Sequence, residues 1–112
     1  NTMLPRKHKL TRVEIGSLFE KGGLFNTNDF SVKYRLENSP KNNKFAVIVG
    51  KKVSKLSVRR HKIKRNIIGI LDKSEFGRGK NGFYCAILVK RDVIFDKNLI
   101  LQAISGILNK NK

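Results

Sequence analysis

The chain reads as an α+β protein, a small mixed sheet with three helices in a two-layer sandwich. Three observations predict it. Apolar residues recur at helical spacing in three separate stretches. Between them lie short runs rich in Val, Ile, Tyr and Phe, with strand character. The order of these runs, αββαβα, places one helix between two strands, which calls for a parallel crossover.

Each element has its own signals. "KHKLTRVEIGSLFEKGG" is a basic arm (1–10) leading into a helix over about 11–21. Thr11 and Glu14 form a T-x-x-E capping box, with Leu10 and Ile15 placed as a hydrophobic staple. Ile15, Leu18 and Phe19 make one stripe, and Gly22-Gly23 is expected to end the helix in the left-handed conformation. "DFSVKYRLE" alternates, with Phe30, Val32, Tyr34 and Leu36 inward and Ser31, Lys33 and Arg35 outward. After the turn-rich "NSPKNN", the apolar run "KFAVIVG" reads as a central strand, expected to pair with its predecessor as a hairpin.

A second helix is expected from Ser57 to Asp72, with Ile63, Ile67, Ile70 and Leu71 as its buried stripe. His61, Lys62 and Arg65 project away from that stripe, Lys64 lies at its margin, and Arg60 precedes it by one turn. Gly69 inside the helix costs about 1 kcal/mol relative to Ala, so it either admits a close approach or has no role. "SEFGRGKNG" is a Gly-rich, basic loop that need not be rigid. "FYCAILVK" is a strand apolar on both faces. "FDKNLILQAISGILNK" is a helix capped by Asp96, stapled by Phe95 and Ile100, with Ile100, Ala103, Ile104, Ile107 and Leu108 inward. The helices are expected on one face of the sheet.

Composition narrows the function. The 112 residues fit one domain, 39% are hydrophobic, and 25 Lys+Arg face 8 Asp+Glu for a net charge of +17. Such a field calls for a polyanion. Asn1-Thr2 reads equally as a cloning scar before a natural start at Met3 or as native sequence. With one cysteine no internal disulfide forms, and the first charges are followed by no signal-peptide core; a cytoplasmic protein is expected. Cys85 lies in an apolar strand and reads as an inert core thiol. His8 and His61 sit in basic runs, a weak basis for a general base. The carboxylates form no metal or acid/base pattern, and "GRGKNG" lacks the phosphate-loop signature.

The signal is "GKKVSKLSVRRHKIKR", residues 50–65, with eight cations and no acid. A solvated helix face would intersperse Glu or Asp at i,i+4. Phosphate contact explains the pattern better, since Arg suits bidentate geometry. "PRKHK" and the strand face Lys33/Arg35 add to it. Phe19 reads equally as core or as a stacking platform for a single-stranded base. The apolar stripes are needed for the core, which disfavours a membrane surface. Strands between the helices disfavour a helix-turn-helix and hence DNA, leaving RNA.

The central block, strand–"GKKVSK"–spacer–"RRHKIKR"–"NII", resembles the bacterial ribonuclease P protein subunit. That family carries "SKK" at a strand end and "R-N-R-x-K-R" at a helix start; here these are Gly50-Lys51-Lys52 and Arg60-His61-Lys62-Ile63-Lys64-Arg65. "KLTRVEIGSLFEKG" is similar to the family's opening helix, whose apolar or aromatic pair is Ile15 and Phe19 here. The likeness spans nearly the whole chain and is most specific in the central block. The sequence departs from the pattern at His61, for Asn, and at Lys62, for Arg, which removes a bidentate fork. Ile15 also replaces the usual Phe.

The resemblance implies a sandwich with a left-handed βαβ crossover and a possible short fourth strand. It implies a non-catalytic subunit of an RNA-based endoribonuclease that removes the 5′ leader of precursor tRNA. Lys51, Lys52, Lys55, Arg59, Arg60, His61, Lys62, Lys64 and Arg65 would meet the ribonuclease P RNA. Arg6, Lys7, His8, Lys9, Arg12, Phe19, Lys33 and Arg35 would meet the single-stranded leader, in a cleft between the sheet and the first helix. Mg²⁺ would be bound mainly by the RNA subunit and substrate. A general RNA-binding protein, ribosomal or chaperone-like and without maturation activity, stays open, as does a protein-only nuclease using His8 or His61.

Overall fold

The computed structural model describes residues 8–36, 42–74, 79–80 and 82–110. Helix α1 (Arg12–Lys21) starts where the capping box requires. The Glu14 amide donates to Thr11 Oγ1 (3.2 Å) and the Thr11 amide to Glu14 Oε1 (2.9 Å). Strands β1 (Gly23–Asn26), β2 (Phe30–Leu36) and β3 (Lys44–Val49) follow, then α2 (Ser57–Lys73), β4 (Phe83–Val89) and α3 (Lys97–Lys110). The short fourth strand exists: β1 returns on β2 through a turn held by Thr27, whose hydroxyl accepts from the Asp29 and Phe30 amides.

The sheet order is β1-β2-β4-β3. β4 runs antiparallel to β2 and parallel to β3, with Phe30 opposite Val89 and Val49 beside Val89. The expected hairpin between β2 and β3 is therefore absent, and β3 is an edge strand, not a central one. The reason lies in β4. Its Phe83, Cys85, Ile87 and Val89 enter the main core while Ala86 is buried on the other face, so it takes the middle of the sheet. β3 carries Lys44 on its outward-facing series, and its outer edge takes the arm, where the Leu10 amide donates to Phe45 O (3.1 Å).

The main core lies between one face of the sheet and α2 and α3. It contains Phe30, Val32, Phe45, Val47, Ile63, Ile67, Leu71, Phe83, Ile87, Phe95, Ile100 and Ile104. Asn66 joins α2 to the start of α3: its Oδ1 accepts from the Phe95 amide (2.8 Å) and its Nδ2 donates to the Phe95 carbonyl (3.3 Å). Ile70, expected in the α2 stripe, is only half-buried. Asp96 caps α3 as expected, accepting from the Asn98 amide (3.1 Å).

Helix α1 does not join that layer. Leu18 and Ala86 are fully buried yet lie outside the main cluster. Arg35 and Lys44, on the outer series of β2 and β3, reach Ser17 and Glu14 of α1. α1 thus packs on the opposite face from α2 and α3, where the sequence reading had put all three helices together. The small Ala86 makes room for Leu18. Gly22, at the end of α1, is extended (φ −78°, ψ 161°), so a left-handed cap is not its role. A Cβ there would sit 2.5 Å from the Leu18 carbonyl oxygen and 2.8 Å from that of Tyr34, so close approach demands the glycine. In the Gly-rich loop, residues 75–78 and 81 lie outside the described residues.

Candidate RNA-binding surface

The basic block folds as a turn and the first half of α2. The turn closes with the Val53 amide on Gly50 O (3.1 Å) and exposes Lys51, Lys52 and Lys55. α2 begins after Leu56, with no side-chain cap and no acid in its first turn. His61, Lys62, Lys64 and Arg65 are exposed. None of these seven residues has an ion pair among the described residues. Like charges at i,i+3 and i,i+4, such as Lys62/Arg65, destabilise a helix by about 0.2–0.5 kcal/mol each. Cations near a helix start also oppose the macrodipole. An anion docking here relieves both penalties.

Two members of the block are committed within the protein. Arg59 is half-buried and its Nε donates to Asp92, tying α2 to the β4–α3 connection. Arg60 is half-buried and folds back, Nη1 donating to the carbonyls of Ser54 (2.9 Å) and Lys55 (3.2 Å). It braces the turn that presents Lys55, so its azimuth near the apolar stripe serves the scaffold.

The second candidate set divides. Arg6 and Lys7 lie outside the described residues. His8 is buried (2% exposed), with Nδ1–H donating to Asn43 O (2.7 Å), so it anchors the arm and has no open face toward a leader or a substrate. Lys9 is half-buried beside β3, and Arg12 is exposed on the first turn of α1. Lys33 is half-buried on the outer face, and Arg35 is exposed with Nη1 donating to Ser17 Oγ (3.4 Å). Phe19 is 43% exposed, so it is available at the α1 side of that face instead of closed into the core. Leu24, in the same series as Lys33, is exposed too.

A groove of about 480 Å³ wraps the β3 edge and joins the two sets. Lys9 and Ile15 line it from the arm and α1, Ala46 and Ile48 from β3, and His61, Lys64 and Arg65 from α2. A shallower recess continues along Val47–Val49 to Ser57 and Arg60. Sequence reasoning missed Ala46 and Ile48 because it treated β3 as covered on both sides; alternation from Lys44 would have put them on the outer face. Asn43 was missed as well, and nothing in "NN" signals it. It is fully buried, its Oδ1 accepting from the Phe83 amide (3.0 Å) while its carbonyl receives His8.

Three acids, Glu14, Asp29 and Asp92, are held in ion pairs with cations other than those seven. Burial works against the charge of Glu14, but the Thr11 amide and the Lys44 ammonium (3.0 Å) hold its carboxyl below the ordinary value. Hydrogen bonding to Glu14 raises Lys44 in turn. Asp29 pairs with Arg91 (3.3 Å). Among the described residues no three of His, Cys, Asp and Glu cluster. Burial pushes the Cys85 thiol up, and it stays protonated in the core. Among the described residues no helix is long and apolar enough to cross a membrane.

The Ribonuclease P family model matches residues 4–111, almost the whole chain and the entire surface just described. The chain belongs to the ribonuclease P protein family. Solved structures agree on the fold. The RNase P protein from Thermotoga maritima superposes with a TM-score of 0.69 at 18% identity, covering 91% of this chain and 96% of that one. The Staphylococcus aureus RNase P protein gives 0.70 at 17% identity, covering 96% and 97%. A search of curated protein sequences finds no match. Family membership makes the chain part of a ribonuclease P enzyme, with a role in tRNA processing and an RNA partner in the ribonucleoprotein.

Proposed function

We propose that this ribonuclease P protein is the non-catalytic subunit, and that it binds the catalytic RNA and the single-stranded 5′ leader of precursor tRNA. The observation that carries the reading is the set of seven exposed residues on the turn and α2, cationic or, in His61, able to become so, with no ion pair among the described residues. Lys51, Lys52, Lys55, His61, Lys62, Lys64 and Arg65 would meet phosphates of the RNA subunit, with Arg59 and Arg60 holding their frame. Lys62 supplies a point charge where an Arg would supply a fork.

The leader would follow the outer face and the β3 groove, with Phe19 as a stacking platform and Lys9, Arg12, Lys33 and Arg35 as counter-charges. Because the groove is shared, a leader bound there would lie against His61, Lys64 and Arg65 and so close to the RNA subunit. The protein's contribution is electrostatic, lowering the repulsion between two polyanions. Mg²⁺ would be held by phosphate oxygens of the RNA subunit and substrate. The cytoplasm, where precursor tRNA is processed in bacteria, is the compartment this reading implies.

The test is precursor-tRNA cleavage at near-physiological Mg²⁺ with a bacterial ribonuclease P RNA, with and without the protein, and with the protein alone. Cleavage at the mature 5′ end only when both are present supports the reading. RNA binding without stimulation would favour a general RNA-binding protein. Cleavage by the protein alone would favour a nuclease, for which His61 is the exposed histidine.

A further inference from the structure

We propose that the groove between α2 and α3 is a second RNA-contact site, taking the phosphate backbone of a structured RNA. The inference rests on the RNA-binding reading above but concerns a different face. The groove encloses about 660 Å³. Arg65, Gly69 and Lys73 line it from α2, and Lys97, Asn98 and Leu101 from α3. Among the described residues no carboxylate lines it. Lys73 and Lys97 are exposed and have no ion pair among the described residues. Asp96, just before α3, is turned to that helix, accepting from the Asn98 amide. Two of the groove's other polar side chains are satisfied within the protein, Asn66 by the Phe95 backbone and Ser74 by the Leu71 carbonyl.

The spacing fits a strand better than a single anion. Arg65, Gly69 and Lys73 stand at i, i+4 and i+8, one turn apart on one stripe. The two cations are about 12 Å apart along the axis, too far to close on one phosphate and suited to two separate phosphates of one strand. Between them Gly69 contributes no side chain to the floor, which gives a purpose to a helix-interior residue of poor propensity. Arg65 lies at the junction with the β3 groove. The cationic track therefore extends from the turn before α2 to its last residue, about 25 Å for a 17-residue helix.

The experiment compares equilibrium binding to a bacterial ribonuclease P RNA across a salt series for wild type, Lys73→Gln/Lys97→Gln and Lys62→Gln/Lys64→Gln. Two lost phosphate contacts should reduce the slope of log K against log salt by about 1.4–1.8 in the groove variant. An unchanged slope and affinity there, with loss in the Lys62/Lys64 variant, overturns the groove site and leaves the RNA-binding reading standing. No change in either variant overturns both. A second readout avoids any charge-only effect. Cys85 is buried, so a photo-crosslinker on Asn98→Cys is site-specific. Asn98→Cys should crosslink to the RNA and Asn28→Cys, on the exposed β1–β2 turn, should not. Absence of the Asn98 crosslink overturns the proposal.

Discussion

The same substitution at two glycines of α1 should have opposite signs. Gly16 is exposed in the helix interior, and a Cβ there meets nothing within 4 Å. Gly16→Ala should stabilise by about 0.5–1 kcal/mol, through better helix propensity and a less flexible unfolded chain. Gly22 has an ordinary φ, so conformation alone would tolerate Ala. Its Cβ, however, would press on two backbone carbonyls, at 2.5 and 2.8 Å. Restoring ordinary contact at 3.4 Å requires the end of α1 to part from the Tyr34 carbonyl of β2 by roughly 0.6 Å and the last turn of α1 to open by roughly 0.9 Å at the Leu18 carbonyl. Leu18 is fully buried and its carbonyl also accepts from the Gly22 amide (2.8 Å), so neither side yields freely. Overpacking of this kind costs about 1–3 kcal/mol. Thermal unfolding should therefore separate the two variants by at least about 6 °C. A Gly22→Ala protein as stable as wild type would show that α1 does not lie this close to β2. The Phe19 side of the leader cleft would then be wrongly placed.

Other outcomes follow from the site. Lys62→Ala/Lys64→Ala should leave the unfolding midpoint within about 0.5 kcal/mol of wild type while reducing the salt slope for RNA binding by about 1.4–1.8. Arg60→Ala should differ, lowering both stability and RNA affinity, because its guanidinium holds the Ser54 and Lys55 carbonyls; denaturant melts and filter binding together separate the two behaviours. Phe19→Ala should weaken binding of leader-bearing precursor more than of mature tRNA, measured as the ratio of the two affinities. Asn43→Ala leaves the Phe83 amide and its surroundings unpaired in the interior and should cost about 1–3 kcal/mol. The Glu14 carboxyl is lowered in the fold, so the unfolded chain binds its proton first as pH falls. The Glu14–Lys44 pair should contribute its full, sub-kilocalorie stability above the ordinary value of 4.5 and lose it as pH drops through the folded value. The gap between wild type and Glu14→Gln should close over that interval.

Local grammar was legible wherever a short stretch carries its own physics. The Thr11/Glu14 box, the Ile63–Ile67–Leu71 stripe and the Asp96 cap each depend on neighbours a few residues away. Strand adjacency was not. Nothing in "KFAVIVG" says that β4, some forty residues later, takes the place beside β2, because pairing is decided by which strand buries both faces. The face taken by α1 was hidden for a similar reason: it turns on Ala86, a small residue inside an apolar run. At the site, the charge was visible and its division was not. Arg59 and Arg60 look like Lys62 and Lys64 in the sequence, yet Asp92 and two loop carbonyls claim them. His8 reads as part of a basic arm until Asn43 encloses it.

The central position of β4 also sets the order in which the chain can assemble. Phe30 is opposite Val89, so β2 meets its partner only after about 60 further residues have been made, about 3–12 s at a synthesis rate of about 5–20 residues per second. Until then β2 has only the short β1 beside it, and β3 has no sheet neighbour at all. The polybasic turn and α2 leave the ribosome before the strand that anchors them. During that interval the nascent chain presents its cations without its fold, within reach of ribosomal and transfer RNA. Premature, unspecific RNA capture during synthesis is thus a hazard built into this strand order, and its size is set by the delay before β4 arrives.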